Sequence, residues 1–306
     1  MEKFELDILG CGSATPTTLH NPSSQVLNVR DKLFMIDCGE STQLQLRRSR
    51  LRFGRLNRIF ISHLHGDHCF GLIGLISTLG LLGRTGDLYI HSVAGLEEIL
   101  RPEINFFCKD SPFQVKIEIF DPKKSEIIYD DRSVTVKTIP LFHRVPCAGF
   151  LFTEKQKEAH LIPDMIKFYN IPVKELVKIK QGGADFVTED GKVIPHSLLT
   201  KPAEPARSYA YCSDTAYSEK VVPIIEGGVD LLYHEATFAD EDAARAASTG
   251  HSTARQAAQV ALQANVKKLM LGHFSARYTD NRILLNEAKE VFSNTMLANE
   301  GLREKL

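Results

Sequence analysis

Four side chains able to bind a divalent cation fall within six residues in His63-Leu64-His65-Gly66-Asp67-His68. Imidazole beside carboxylate suits zinc, with manganese as the alternative, and is unlike a thiolate site. The segment directly follows a strand-like run, Ile59-Phe60-Ile61. On extended chain His63 and His65 project to the same side and can share one ion. Gly66 then permits a sharp turn that aims Asp67 and His68 at a second point. Two adjacent cation sites imply activation of a water for hydrolysis. A polar loop without function is the competing reading. Three of the chain's 11 histidines lie in this hexapeptide, and ionisable groups rarely cluster so without a functional reason.

Two metal centres need further ligands, and these are expected at other strand ends, where loops converge on a site. His143 follows the strand-like Val134–Ile139, Asp214 follows Tyr209–Cys212, and His273 follows Lys268–Leu271. The elements that must position them alternate in type. Strands are expected at Phe4–Leu9, at Leu88–Ser92 and at Leu231–Glu235. A hairpin is expected from Gln25–Val29 and Leu33–Asp37, turning at Arg30-Asp31-Lys32. Helices are expected at Glu40–Arg48, Phe70–Leu82 and Asn281–Phe292. Another starts at Thr253, with Gln256 as its capping-box partner. Grouped strands with interspersed helices indicate one layered α/β domain over residues 1–306. Glu154–Pro205 is rich in Lys, Glu, Gly and Pro. It reads as a protruding arm inserted in that domain, since plain connections of this length are uncommon.

A net charge of −1 excludes a molecule that binds nucleic acid through its overall charge. One local patch remains: Arg47, Arg48, Arg50, Arg52, Arg55 and Arg58, without an acid among them. It reads either as a track for phosphates or as a solvated helix end. The six cysteines contain no C-x-x-C pair, so free thiols in a reducing cytosol are expected. The N-terminus has no signal-peptide pattern, and the apolar stretch Phe70–Gly83 is too short to span a bilayer. A cytoplasmic protein without membrane association is the expectation.

The motif His63 to His68 is the H-x-H-x-D-H of the metallo-β-lactamase superfamily. A narrower resemblance, to the ribonuclease Z family of tRNA 3′-processing endonucleases, spreads over nearly the whole chain. It runs through Gly10-Cys-Gly-Ser-Ala-Thr-Pro16, Asn21-Pro-Ser-Ser24, Asp37-Cys-Gly-Glu40, Ile61-Ser-His-Leu-His-Gly-Asp-His68 and Gly71-Leu-Ile-Gly-Leu75. It ends in His234-Glu-Ala-Thr237, His251-Ser-Thr253 and His273-Phe-Ser-Ala-Arg-Tyr278. The hexapeptide alone specifies only the superfamily; the last three motifs in that order are far more specific.

The resemblance implies an αββα sandwich with the site at one edge of the packed sheets. It implies two Zn²⁺ per subunit, or Mn²⁺ or another divalent ion. One is held by His63, His65 and His143, the other by Asp67, His68 and His273, with Asp214 bridging both. It implies cleavage of precursor tRNA at its 3′ trailer, leaving a 3′-hydroxyl on the tRNA and a 5′-phosphate on the trailer. Asp67 would accept the water proton, and His251, oriented by Glu235, would protonate the leaving oxygen. Ser275, Arg277 and Tyr278 would grip the RNA backbone, with Arg47 and Arg48 meeting the acceptor stem. A homodimer is implied in which the arm of one subunit, through lysines such as Lys178 and Lys180, serves the other's site. The arm departs from the family pattern. In place of a Pro-Pro-Gly-Pro element it has Ile171-Pro-Val-Lys-Glu-Leu176 and Gln181-Gly-Gly183, so the glycine-proline tip is absent while lysines remain for tRNA phosphates. Two rival readings stay open: a hydrolase of a small phosphodiester or other ester in the same superfamily, and a non-catalytic RNA-binding scaffold.

Overall fold

The structure is a computed structural model that describes residues 2–306. Two seven-stranded sheets form its frame. The first runs, edge to edge, Arg303–Lys305, Phe4–Gly10, Ser24–Val29, Lys32–Cys38, Leu56–Phe60, Leu88–Ser92 and Val115–Ile119. Its first four strands pair antiparallel and the remainder parallel. The second runs Thr295–Leu297, Leu269–Gly272, Leu231–Glu235, Ser208–Cys212, Ala148–Glu154, Val134–Pro140 and Ile127–Asp130.

Alternation along the strands decides what each face buries. In Lys32–Cys38, Phe34 and Ile36 enter a core shared with Val136, Phe150 and Phe152 of the second sheet. Phe60 meets the Phe152 ring edge-on at 5.3 Å between centroids. Leu33 and Met35 point to the opposite face. There they pack with Leu46 of the helix Thr42–Arg48, Leu75 of Leu72–Leu81 and Leu100 of Leu96–Phe107. The second sheet is covered by Ala257, Val260 and Ala261 of the helix Ala254–Gln263. Helix, sheet, sheet and helix are therefore stacked in that order, as an αββα sandwich. Among the described residues no helix is long and apolar enough to cross a membrane.

Several expected boundaries move for local reasons. The hairpin turns on two residues, Arg30 and Asp31, both at positive φ, as a turn matched to strand twist requires; Lys32 belongs to the strand. The first helix starts at Thr42, because Ser41 sits left-handed at φ 66°. The apolar helix starts at Leu72, since Gly71 lies flat against Gly39, whose oxygen is 2.1 Å from where a Cβ would be. The expected Asn281–Phe292 helix ends at Lys289. Thr253 caps its helix with the full reciprocal box with Gln256.

Residues 154–206 form a second compact unit. It contains the short strand pairs His160–Leu161 with Thr200–Lys201 and Phe186–Val187 with Val193–Ile194. Its helices are Pro163–Phe168, Val173–Gly182 and His196–Leu199, and Ile171, Ile179, Ile194 and Leu199 make a small core of its own.

Candidate metal centre

The hexapeptide leaves the strand Leu56–Phe60 extended as far as His65, then enters a helical turn at Gly66–Cys69. Gly66 leaves room there for the exposed Phe70 ring, which would lie 2.2 Å from a Cβ and would have to move aside for one. The chain turns at Gly66, passing from extended at His65 into a helical turn that carries Asp67 and His68. Asp37, Asp214 and His273 each end a strand or follow one by a residue or two, and each holds a left-handed backbone, with φ of 55°, 51° and 58°. Such conformations are costly for residues other than glycine and cluster at functional sites.

Two groups of ligand atoms result: His63, His65, His143 and Asp214; and Asp67, His68 and His273. The Asp214 carboxylate divides between them. Its Oδ2 is 3.5 Å from His63 Nε2 and 3.7 Å from His143 Nε2. Its Oδ1 is 3.1 Å from His68 Nε2 and 3.0 Å from His273 Nε2. His143 Nε2 is 3.4 Å from His65 Nδ1, and Asp67 Oδ2 is 3.4 Å from His68 and 3.5 Å from His273.

The residues fit a pair of cations. Bonds of about 2.0–2.1 Å to a tetrahedral ion put neighbouring ligand atoms about 3.3–3.4 Å apart, and the separations here, from 3.0 to 3.7 Å, bracket that value. His63 Nε2 is buried without a hydrogen-bond partner, an arrangement that an ion satisfies and bare protein does not. The outward nitrogens of four of the five histidines are engaged. His68 Nδ1 donates to Asp37 Oδ2 at 2.7 Å, and His143 Nδ1 to the Gly250 carbonyl at 2.8 Å. Ser62 Oγ donates to Asp37, so it accepts from His63 Nδ1 at 3.0 Å. Thr237 Oγ1 donates to Glu235, so it accepts from His273 Nδ1 at 2.9 Å. In these four imidazoles the Nε2 lone pair is therefore directed inward, the arrangement that orients metal-binding histidines.

Electrostatics agree. Burial, reinforced by His68, holds the His63 imidazole well below its usual range, in the neutral form that can ligate. Burial alone would raise the Asp214 carboxyl, but the His273, His68 and His63 rings outweigh it and keep it ionised.

Beside the cluster, His251 Nδ1 lies 2.8 Å from Glu235 Oε1. Burial would lower this imidazole; the charge and hydrogen bond of Glu235 prevail and push it up to about 9. A cavity of about 310 Å³ opens onto these groups, walled by Ser13, Ala14, His65, Asp67, Arg144, His251 and Ser275.

Other expected site residues stand apart from that cavity's lining. Arg277 donates to both Asp242 oxygens at 3.1 Å, and Tyr278 Oη donates to the same carboxylate at 2.8 Å. Arg47 and Arg48 are exposed at a helix end. Arg55 pairs with Asp31, and Arg58 is held between the Tyr89 and Tyr129 rings. In the arm, Lys178 pairs with Glu175 and Lys180 with Glu158. Roles unassigned from sequence belong to Ser62, Thr237 and the Gly250 carbonyl, and to the Ala14 N–H, which donates to Asp67 Oδ2 at 2.8 Å. Asp37 did carry a signal, an acid closing a buried strand in Asp37-Cys-Gly-Glu40.

Residues 4–100 match the family described as Anti-Pycsar protein Apyc1. Over nearly its full length the chain is similar to ribonuclease Z of Bacteroides thetaiotaomicron, 63% identical across 99% of this chain and 95% of that one. Ribonuclease Z of Porphyromonas gingivalis is 55% identical, across 99% of each. The chain belongs to the ribonuclease Z family. Family members are endoribonucleases, and so is this enzyme. The short form of human tRNase Z shares its architecture at a TM-score of 0.70, with 26% identity over 98% of both chains. The metallo-β-lactamase fold protein YhfI of Bacillus subtilis, 19% identical at a TM-score of 0.70 over the whole of both chains, shares the fold. Membership of the ribonuclease Z family thus accounts for the sandwich.

Proposed function

We propose that this enzyme removes the 3′ trailer from precursor tRNA by hydrolysing one phosphodiester, leaving a 3′-hydroxyl on the tRNA and a 5′-phosphate on the trailer. The observation that carries the reading is the Asp214 carboxylate, with one oxygen toward His63 and His143 and the other toward His68 and His273. In this reading His63, His65, His143 and Asp214 would hold one zinc ion, and Asp67, His68 and His273, with Asp214, the other. A pair of divalent ions, when bound, acidifies a water to serve as nucleophile at neutral pH and neutralises charge on the phosphoryl oxygens.

The chain's own groups supply the rest. Asp67, fixed by the Ala14 N–H, accepts the proton of the attacking water. His251, fixed by Glu235 at 2.8 Å, hands a proton to the departing ribose oxygen, which would otherwise leave as a strong base. Ser275 lines the cavity and meets the substrate directly. Arg277 and Tyr278 grip the RNA backbone by exchanging Asp242 for a phosphate, for which a guanidinium is well shaped. Arg47 and Arg48 meet the acceptor stem through phosphates, a contact suited to A-form RNA of many sequences. Lys178 and Lys180 of the arm exchange their carboxylates in the same way. The enzyme acts in the cytoplasm as a homodimer whose arms serve partner sites. Its six free cysteines, five of them buried, support a reducing compartment.

Incubation with a precursor tRNA and Zn²⁺ or Mn²⁺, with product ends mapped, tests the proposal. A trailer bearing 5′-phosphate is the expected product. Hydrolysis of a small diester without tRNA cleavage in either metal would contradict it. Deleting Glu154–Ala206 should abolish tRNA cleavage while small-diester hydrolysis persists.

A further inference from the structure

A second cavity, about 690 Å³, adjoins the catalytic one; His143 and Arg144 line both. Phe142 stands in it 69% exposed. An exposed aromatic is ordinarily mobile, but this one has a fixed base. Its N–H donates to Thr215 Oγ1 at 3.1 Å, and its carbonyl accepts from the Ala216 N–H at 2.8 Å. Thr215 follows Asp214 directly and donates its own N–H to Glu235 at 2.8 Å. The backbone of Phe142 is thus tied to residues of the reaction centre, with its ring exposed in the groove. Around it lie the exposed cations Lys123, Arg144 and Lys220, and no Asp or Glu lines the cavity. Of the acids nearest in sequence, Asp121 pairs with Lys124, while Glu219 accepts from the hydroxyl of Tyr217, a residue of the cavity wall.

We propose that this groove binds the single-stranded 3′ trailer of the substrate, with a base stacked on Phe142 and phosphates on Lys123, Arg144 and Lys220. The inference rests on the endonuclease reading above and extends it to a second binding surface. An aromatic face among cations, with few groups to read base edges, is the chemistry of sequence-tolerant single-strand binding. A trailer varies in sequence and is unpaired, and its first nucleotide remains joined to the phosphorus under attack. Continuity through His143 and Arg144 gives it a path from that atom into the groove.

Two measurements on the full-length, metal-loaded enzyme test this. In the first, a labelled six-nucleotide single-stranded RNA is titrated and its anisotropy read. Phe142→Ala and Lys220→Glu should each weaken binding about tenfold, since stacking and phosphate contacts are of that size. In the second, precursor tRNAs with one-nucleotide and ten-nucleotide trailers are compared. Both substitutions should lower the long-to-short ratio of kcat/KM by about the same factor. Lys220→Glu changes only an exposed charge, so it remains informative if Phe142→Ala fails to fold. Unchanged oligonucleotide binding, or equal loss on both trailers, would overturn the proposal. A wild-type enzyme that binds the oligonucleotide but cuts neither tRNA would refute the endonuclease reading instead, leaving the groove standing.

Discussion

Asp37 touches no reacting atom, yet the geometry makes it decisive for His68. Its Oδ2 accepts from His68 Nδ1 at 2.7 Å, Tyr211 Oη at 2.6 Å and Ser62 Oγ at 2.9 Å; its Oδ1 accepts from the Ser62 N–H at 2.8 Å. The residue is fully buried, so water cannot replace any of these bonds. Asp37→Asn is the sharp perturbation. Asparagine tolerates the left-handed backbone at φ 55°, so the change is chemical and leaves the chain path alone. Whichever way the amide turns, an NH₂ must face at least one of these donors. One buried bond becomes a donor–donor contact, a loss of roughly 1–3 kcal/mol. Exchange of charged for neutral acceptance on the other bonds adds roughly 1 kcal/mol more. His68 also loses the carboxylate that fixes its ring, for which a loss of about 10–100-fold in metal affinity is expected. Urea unfolding measures the first quantity, and zinc titration against a competing chelator the second. Tyr211→Phe is the control: it removes one donor from Asp37, with about 1 kcal/mol lost and metal affinity within a few-fold of wild type. If Asp37→Asn bound zinc as tightly as wild type, the argument that the outer carboxylate orients His68 would be refuted.

Four further outcomes are expected. His65→Ala should cut tRNA cleavage by about two orders of magnitude or more while circular dichroism stays native, because one ligand is lost from a site whose frame is the sheets. His251→Ala should lower kcat by about 10²–10⁴ with metal content unchanged, as loss of a general acid does; loss of metal together with activity would reassign it. Arg277→Ala should raise KM for precursor tRNA and reduce the salt dependence of binding by about one phosphate contact, whereas an unchanged KM would leave its pair with Asp242 as its whole role. Removing metal with a chelator should lower the unfolding free energy by about 2.7 kcal/mol per site, hence about 5 kcal/mol for two sites, relative to enzyme at a hundredfold excess of metal over Kd, measurable by urea titration.

The strands could be read from alternation because each buries one or both faces in a continuous core, and Leu231–Glu235 falls where the pattern puts it. The members of the His/Asp clusters could be read because His143, Asp214 and His273 each follow such a pattern. What sequence did not carry was the means of convergence. The positive φ of Asp37, Asp214 and His273 belongs to residue types that also occupy ordinary loops. Ser62, Thr237 and the Gly250 carbonyl orient imidazoles with groups present in any chain. Arg277 illustrates the limit for charge: its partner Asp242 lies 35 residues away, and only folding makes them neighbours. The arginine run illustrates another, since Arg58 spends its charge on two tyrosine rings that no spacing connects to it.

The most direct test of the account is metal analysis of the purified enzyme after equilibration with zinc and removal of the unbound ion. About two ions per chain are predicted, falling to background in Asp214→Ala, because that carboxylate faces both clusters. A wild-type chain that retains no ion, or an Asp214→Ala chain that retains both, would contradict it.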